Sequence, residues 1–164
     1  NYQKYLEAIE KGAQVTTDAD GNIVVSTPAN SCTIEIRCDT ILDNMENLKA
    51  GKEGYVPSNG KILSTVKVSF EEGETVFDVL KRVCSKADIQ LEYSWTPMYN
   101  SYYVEGINNL YEFDCGNESG WMYKVNGWFP NYGSSSYTLK DGDVIVWTYT
   151  CNGLGADVGG TVYG

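Results

Sequence analysis

Cys32, Ile34, Ile36 and Cys38 alternate with Thr33, Glu35 and Arg37, the period of a strand with one face turned inward. Asp39 or Thr40 can then cap a short helix whose Ile41, Leu42, Met45 and Leu48 share one side. After a loop through Gly51, Gly54, Pro57 and Asn59-Gly60, residues 62–70 predict a second strand, with Val66, Val68 and Phe70 set against Lys67 and Ser69. Thr75 and Asp78 stand at capping-box spacing, and Val76, Leu80, Val83, Cys84 and Ala87 form the apolar face of the helix that starts there. Ile89, Leu91, Tyr93 and Trp95 alternate as a third strand ended by Thr96-Pro97. The tyrosine-rich stretch that follows predicts a hairpin turned at Asn108-Asn109. Trp121, Tyr123 and Val125 alternate up to Asn126-Gly127, a pair that readily adopts the positive φ of a tight turn. After a second turn at Lys140-Asp141-Gly142-Asp143, residues 144–150 are the most apolar run of the chain and predict a buried closing strand.

Strand, strand, helix and then further strands ending in a buried one is the element order of an α+β, β-grasp (ubiquitin-like) domain. One main helix packs on a mixed sheet, with an extra β-hairpin, and the first and last strands lie parallel and adjacent at its centre. That order sets Cys38 and Cys151 at matching strand ends, which favours a bridge between them, although spacing leaves other pairings open. The domain spans residues 31–159, with a tail at 160–164. Residues 1–30 read as a tether: Tyr2, Tyr5, Leu6 and Ile9 allow a short amphipathic helix that Gly12 stops, and Asp18 to Asn22 turn a hairpin within residues 15–26. The oxygen ligands of that turn also fit part of a calcium loop, without the bidentate Glu that such loops carry at their twelfth position.

Length and charge narrow the function classes. A chain of 164 residues with 42% apolar content buries one core. Its net charge of −10 excludes nucleic acid and anionic membrane surfaces as partners, since both require clustered Lys and Arg. No apolar run reaches the roughly 20 residues that span a bilayer. Histidine is absent, which removes Ser-His and Cys-His nucleophile pairs and imidazole-ligated zinc. The five cysteines include no C-x-x-C pair. Abundant Tyr, Gly, Ser and Asn suit an exported protein, in which disulfides persist. Asp39, Asp43 and Glu46 share one side of the short helix and read as a solvated face.

The aromatic residues are the candidate binding chemistry. Residues 120–151 hold three of the four tryptophans between turn signals, and Tyr99, Tyr102 and Tyr103 precede them. Tyr and Trp give large contact area at low entropic cost. The candidate site residues are Trp95, Tyr99, Tyr102, Trp121, Met122, Trp128, Phe129 and Tyr132. Asp114, Glu118, Asp141 and Asp143 lie near the same end, where a carboxylate-dependent glycan hydrolase would need two flanking acids. Turn chemistry already accounts for Asp141 and Asp143, so the chain reads as a non-enzyme.

The Phe70 strand end, the Gly73-Glu74-Thr75-Val76 cap and its helix, the run SGWMYKVNGWFPNYG and the run YTLKDGDVIVW together resemble the transcobalamin C-terminal-like domain. This β-grasp module occurs in vitamin B12 carriers and, as isolated copies, in exported proteins of Gram-positive gut bacteria, which are the nearer match. In the carriers it closes over the corrin with an aromatic-Gln pair, at positions that Trp121 and Met122 occupy here; Met122 replaces the amide. The helical barrel that forms the other half of the carrier site has no counterpart in these residues. The resemblance implies an exported or cell-surface, non-catalytic binding or adhesion module for a small ligand, a glycan or a surface protein. The alternative it implies is corrinoid (cobalamin-type) binding with a partner domain; separately, the Asp and Glu clusters allow metal binding, calcium being the metal considered. A lipid anchor upstream of residue 1 would place the protein on the bacterial cell surface.

Overall fold

The computed structural model describes residues 14–17, 19–21, 23–26, 30–152 and 157–158, with the backbone alone at 14–17, 23–26 and Tyr99. The chain divides into two units, Asn1–Asn30 and Ser31–Gly164. In the first, β1 (Gln14–Thr17) and β2 (Ile23–Ser26) pair antiparallel with Val15 opposite Val25, so the expected hairpin forms. Gly21 takes φ +84 in its turn, a conformation that costs glycine little. Asp18 and Asn22 of the calcium reading lie outside the described residues, as do residues 2–9 of the expected helix and the 160–164 tail.

The second unit is an α+β domain. Its elements begin with β3 (Asn30–Arg37), the one-turn α1 (Asp39–Leu42), β4 (Lys61–Phe70) and α2 (Val76–Ala87). They continue with β5 (Leu91–Thr96), β6 (Ser101–Ile107), β7 (Leu110–Tyr111), β8 (Gly120–Val125) and β9 (Val144–Thr150). β4, β3, β9 and β8 form one sheet in that order, and β3 and β9 run parallel at its centre, as the sequence predicts. β8 adds to the far side of β9 antiparallel.

Register decides which side chains meet. Ile34 lies opposite Ile145, Ile36 opposite Trp147, and Trp147 opposite Tyr123, so the inward residues of three strands share one face. Ile34, Ile36, Ile145 and Tyr149 are fully buried there with Val76, Phe77, Val79 and Leu80 of α2. Each such aliphatic side chain contributes about 1.5–3 kcal/mol on leaving water. The predicted capping box holds α2 at its start: Asp78 N donates to Thr75 Oγ1 at 3.2 Å and Thr75 N donates to Asp78 Oδ2 at 2.9 Å. On the opposite face of the sheet, Glu35 is buried but paired, with Lys61 Nζ at 3.7 Å, Arg37 at 3.4 Å and the Thr65 hydroxyl at 3.1 Å.

Three expectations change. The helix after Asp39 is a single turn followed by a 3-10 turn at Met45–Asn47, because Asn44 Nδ2 donates to Thr40 O and stops the helix. Ile41 and Leu48 are buried, while Leu42 and Met45 stay exposed. The third strand, β5, does not enter the main sheet but pairs with β6, which pairs with β7 in a separate antiparallel sheet. The β6–β7 turn is the expected one, with Asn108 and Asn109 both at positive φ. No bridge joins Cys38 to Cys151 in this structure, where all five cysteines are free and buried. Among the described residues no helix is long and apolar enough to cross a membrane.

Two aromatic side chains lock the short β7 to the main sheet through their polar atoms. Trp121 Nε1 donates to Leu110 O at 2.8 Å, and the Tyr149 hydroxyl donates to Tyr111 O at 2.7 Å. Trp121→Phe leaves the Leu110 carbonyl without its donor and loses packing volume. The expected cost is about 2 kcal/mol, read as a lowered urea midpoint, whereas the half-exposed Trp128 replaced by Phe shifts it by under about 0.5 kcal/mol. Equal effects of the two substitutions would contradict this assignment.

Candidate functional site

The tyrosine-rich strands deliver their rings first to the helix. Tyr102 stacks on Phe77 of α2 at 5.0 Å between centroids, and Tyr93 meets the same ring edge-on at 4.9 Å. Trp95 packs edge-on against Tyr102 at 5.0 Å, and Lys81 Nζ lies 5.0 Å from the Phe77 centroid. This cluster fastens the second sheet to α2.

β6 reaches beyond its partner β7, which pairs with Gly106 and Ile107 only. Among the described residues, β8 has β9 on one side and no strand on the other. Between these two strand edges runs a slot of about 200 Å³, lined by Tyr102, Tyr103, Met122, Tyr123, Pro130 and Trp147 among others. It opens into a trough of about 550 Å³ that shares Tyr102, Tyr103, Pro130 and Gly133 and adds Thr96, Asn131 and Tyr132. No residue that lines either space carries a charge.

The far wall is a strap, residues 129–140, held at three points. The Tyr123 hydroxyl donates to Tyr132 O at 2.6 Å. Ser135 Oγ accepts from Tyr102 N at 3.0 Å and lies 2.7 Å from Ser101 Oγ. Thr138 bridges to Thr75 at the cap of α2, with Leu139 N donating to Glu74 O at 2.9 Å. Gly133 sits so close to β6 that a Cβ there would lie 1.9 Å from Ser101 Oγ. A wall fixed this way loses little freedom when a ligand arrives.

At the floor of the slot lies Trp147, 3% exposed and tilted against Tyr123 at 5.4 Å. Its Nε1 is buried and has no acceptor among the described protein atoms. Buried indole N–H groups are normally paired, and an unpaired one costs about 1–3 kcal/mol. The neighbouring phenols are uncharged donors: burial pushes Tyr123 up, and Tyr103 rises through burial and then through its 2.5 Å hydrogen bond to Glu112.

The candidate residues separate into distinct environments. Tyr102, Trp121, Met122 and Tyr132 line the slot or the trough. Trp95 is half-exposed on β5 beside Tyr102, and Trp128 is exposed and packs edge-on with Tyr132 at 6.3 Å. Trp121 and Phe129, expected to be available to a ligand, are 6% and 7% exposed. Trp121 is turned inward by the alternation of β8 and bonded to Leu110 O, and Phe129 is folded under Lys124, whose Nζ lies 5.8 Å from the ring centroid. Tyr99 falls in the 3-10 turn Pro97–Tyr99, and its side chain lies outside the described residues. Sequence reasoning missed Pro130 and Trp147 as lining; the strand period places Trp147 inward, but nothing in the sequence marks its N–H as lacking an acceptor.

The acidic candidates have structural partners. Asp114 Oδ2 accepts from Tyr111 N at 2.8 Å and lies 3.4 Å from Lys52 Nζ. Asp141 Oδ1 accepts from Ser31 N, and Asp143 accepts from Lys140 N and Asn126 Nδ2. Among the described residues no group of three or more Cys, Asp or Glu is placed to hold a metal ion. A further groove of about 540 Å³ between β4 and α2 has no aromatic lining, and its Arg82 is held by Glu74 at 3.1 Å.

Residues 73–151 match the model of a family described as a domain of unknown function (DUF4430). That span runs from the turn before α2 to Cys151, just past β9, and contains every residue that lines the slot and trough. Among solved structures the chain is similar to haptocorrin, determined in complex with Cbi, at 14% identity and a TM-score of 0.53. The likeness covers 76% of this chain and 25% of haptocorrin, so the chain spans about a quarter of that protein. It is also similar to a protein from Ruminococcus gnavus ATCC 29149 described there as metal binding, at 12% identity and a TM-score of 0.44, over 75% of this chain and 98% of that one. No curated protein matches the chain. At these identities the likeness to haptocorrin is one of fold.

Proposed function

We propose that the domain is a non-catalytic binding module of β-grasp type, whose ligand lies in the aromatic trough and sends a hydrogen-bond acceptor down the slot to Trp147. The buried, unpartnered Nε1 of Trp147, a residue that lines this open, aromatic-walled space, carries this reading. The lining selects the chemistry: flat tyrosine faces favour rings or sugar faces, and the uncharged walls favour a neutral ligand with an exposed carbonyl, amide or ether oxygen. The acidic net charge fits such a module better than a nucleic-acid or membrane-surface binder.

A second reading is capture of a corrinoid, with another domain or protein covering its far face. It is favoured by the haptocorrin-like fold and by Trp121, which lines the slot where the vitamin carriers use the aromatic member of their pair, while Met122 replaces the amide. The trough is open on one side and would cover one face of such a macrocycle, which limits affinity.

Both readings are tested by titrating protein carrying ¹⁵N-labelled tryptophan with cobinamide, cobalamin, a chitooligosaccharide and a tyrosine-rich peptide. A ligand of this site shifts the Trp147 indole resonance, with Trp121, which lines the same slot, moving less because its N–H already donates to Leu110 O. A shift with the corrinoids alone selects the second reading. Shifts confined to Trp95 and Trp128, or none at all, would contradict the proposal. Gly133→Ala pushes the strap off Ser101 and is expected to weaken a probe that moves Trp147 by at least about tenfold, at a stability cost of about 1–3 kcal/mol. Unchanged affinity would show that the strap is not a wall of the site.

A further inference from the structure

We propose that Cys115 and Cys151 form a crosslinking site, oxidised to a disulfide as the chain folds. The two thiols are held side by side by neighbouring residues of one segment. They rest on one small patch at α1 and the residues just after it: Cys115 Sγ lies 3.4 Å from Asn44 O and Cys151 Sγ 3.6 Å from Thr40 Oγ1, while Asn44 Nδ2 donates to Thr40 O at 2.9 Å. The neighbouring backbones approach as well, since a Cβ on Gly116 would come within 4.0 Å of Cys151 O. Disulfides require such proximity of both backbone and side chain. The other three cysteines have different neighbours. Cys32 lies by Asp143 and Arg82, Cys38 by Asp39, and Cys84 on the apolar face of α2.

The bond would close the loop that holds β8, the strap and β9, and so brace the trough without touching it. In the reaction each thiol gives up its proton and the two sulfurs form one S–S bond. The two electrons and two protons pass to a disulfide oxidant such as oxidised glutathione, whose own S–S bond is reduced to two thiols. Thiolate is the attacking species. Burial pushes Cys151 up to about 12 and raises Cys115, so exchange is slow once the core has closed. The bond therefore forms before the last strand is sealed in. It constrains the unfolded chain, and the predicted gain in melting temperature is on the order of 5–10 °C.

The test is to fold the reduced, denatured full chain in a glutathione redox buffer, alkylate it in denaturant and map the peptides without reduction. The expected product is a Cys115–Cys151 peptide pair lighter by two hydrogens, with Cys32, Cys38 and Cys84 alkylated. Its melting temperature falls when dithiothreitol is added, and Cys38→Ser gives the same crosslink. Alkylation at all five cysteines, a bridge from Cys38 to Cys151, or a melting temperature indifferent to reduction in the crosslinked protein would each overturn the proposal. Because the mapping uses no ligand, its failure is distinct from a failure of the binding reading.

Discussion

The parallel pairing of β3 with β9 is the constraint on which the domain depends. It joins residues roughly a hundred positions apart, from Thr33 opposite Val144 to Arg37 opposite Thr148. The turn before β9 reinforces it, with Gly142 N donating to Ser31 O and Asp141 accepting from Ser31 N. A contact of such sequence separation costs loop-closure entropy before it returns any burial, so the sheet's centre forms late and cooperatively. Once formed, it fixes much else. β8 has an edge to add to, Trp147 is carried beneath Tyr123, and Cys151 is brought against the elements that follow β3.

The aromatic residues divide according to where their polar atoms find partners. Trp121 and Tyr149 are buried and donate to the carbonyls of β7, so their polar atoms serve the architecture, although Trp121 also borders the slot. Tyr123 is nearly buried and donates to the strap. Trp147 shares that face of the sheet, yet its N–H meets no acceptor, and it lies where two unpaired strand edges leave a slot. The second sheet contributes the remaining wall because its tyrosines are anchored on Phe77. Core and site are thus two uses of one aromatic-rich layer.

Much of the main sheet was legible in the sequence. Strict alternation at Cys32 to Cys38 and at Trp121 to Val125 gave both the strands and their inward faces, and the Thr75–Asp78 spacing gave the start of α2. The placement of β5 was not legible, since Tyr93 and Trp95 alternate like core residues but stay partly exposed while their rings lean on neighbouring aromatics. Trp121 and Trp128 look alike as residues near a turn. What separates them is that the period of β8 turns one inward, while the other follows the Asn126-Gly127 turn. The neighbour of the Cys151 thiol was likewise illegible: strand order suggested Cys38, but the parallel register offsets the two, and a loop residue, Cys115, shares its surroundings instead.

The floor of the slot carries the functional reading, so the most direct test is the electron density around Trp147 in crystals of the domain. The account predicts an open slot between β6 and β8, with density for a water or ligand acceptor about 3 Å from Nε1. A closed slot, with that indole donating to a protein carbonyl, would contradict it.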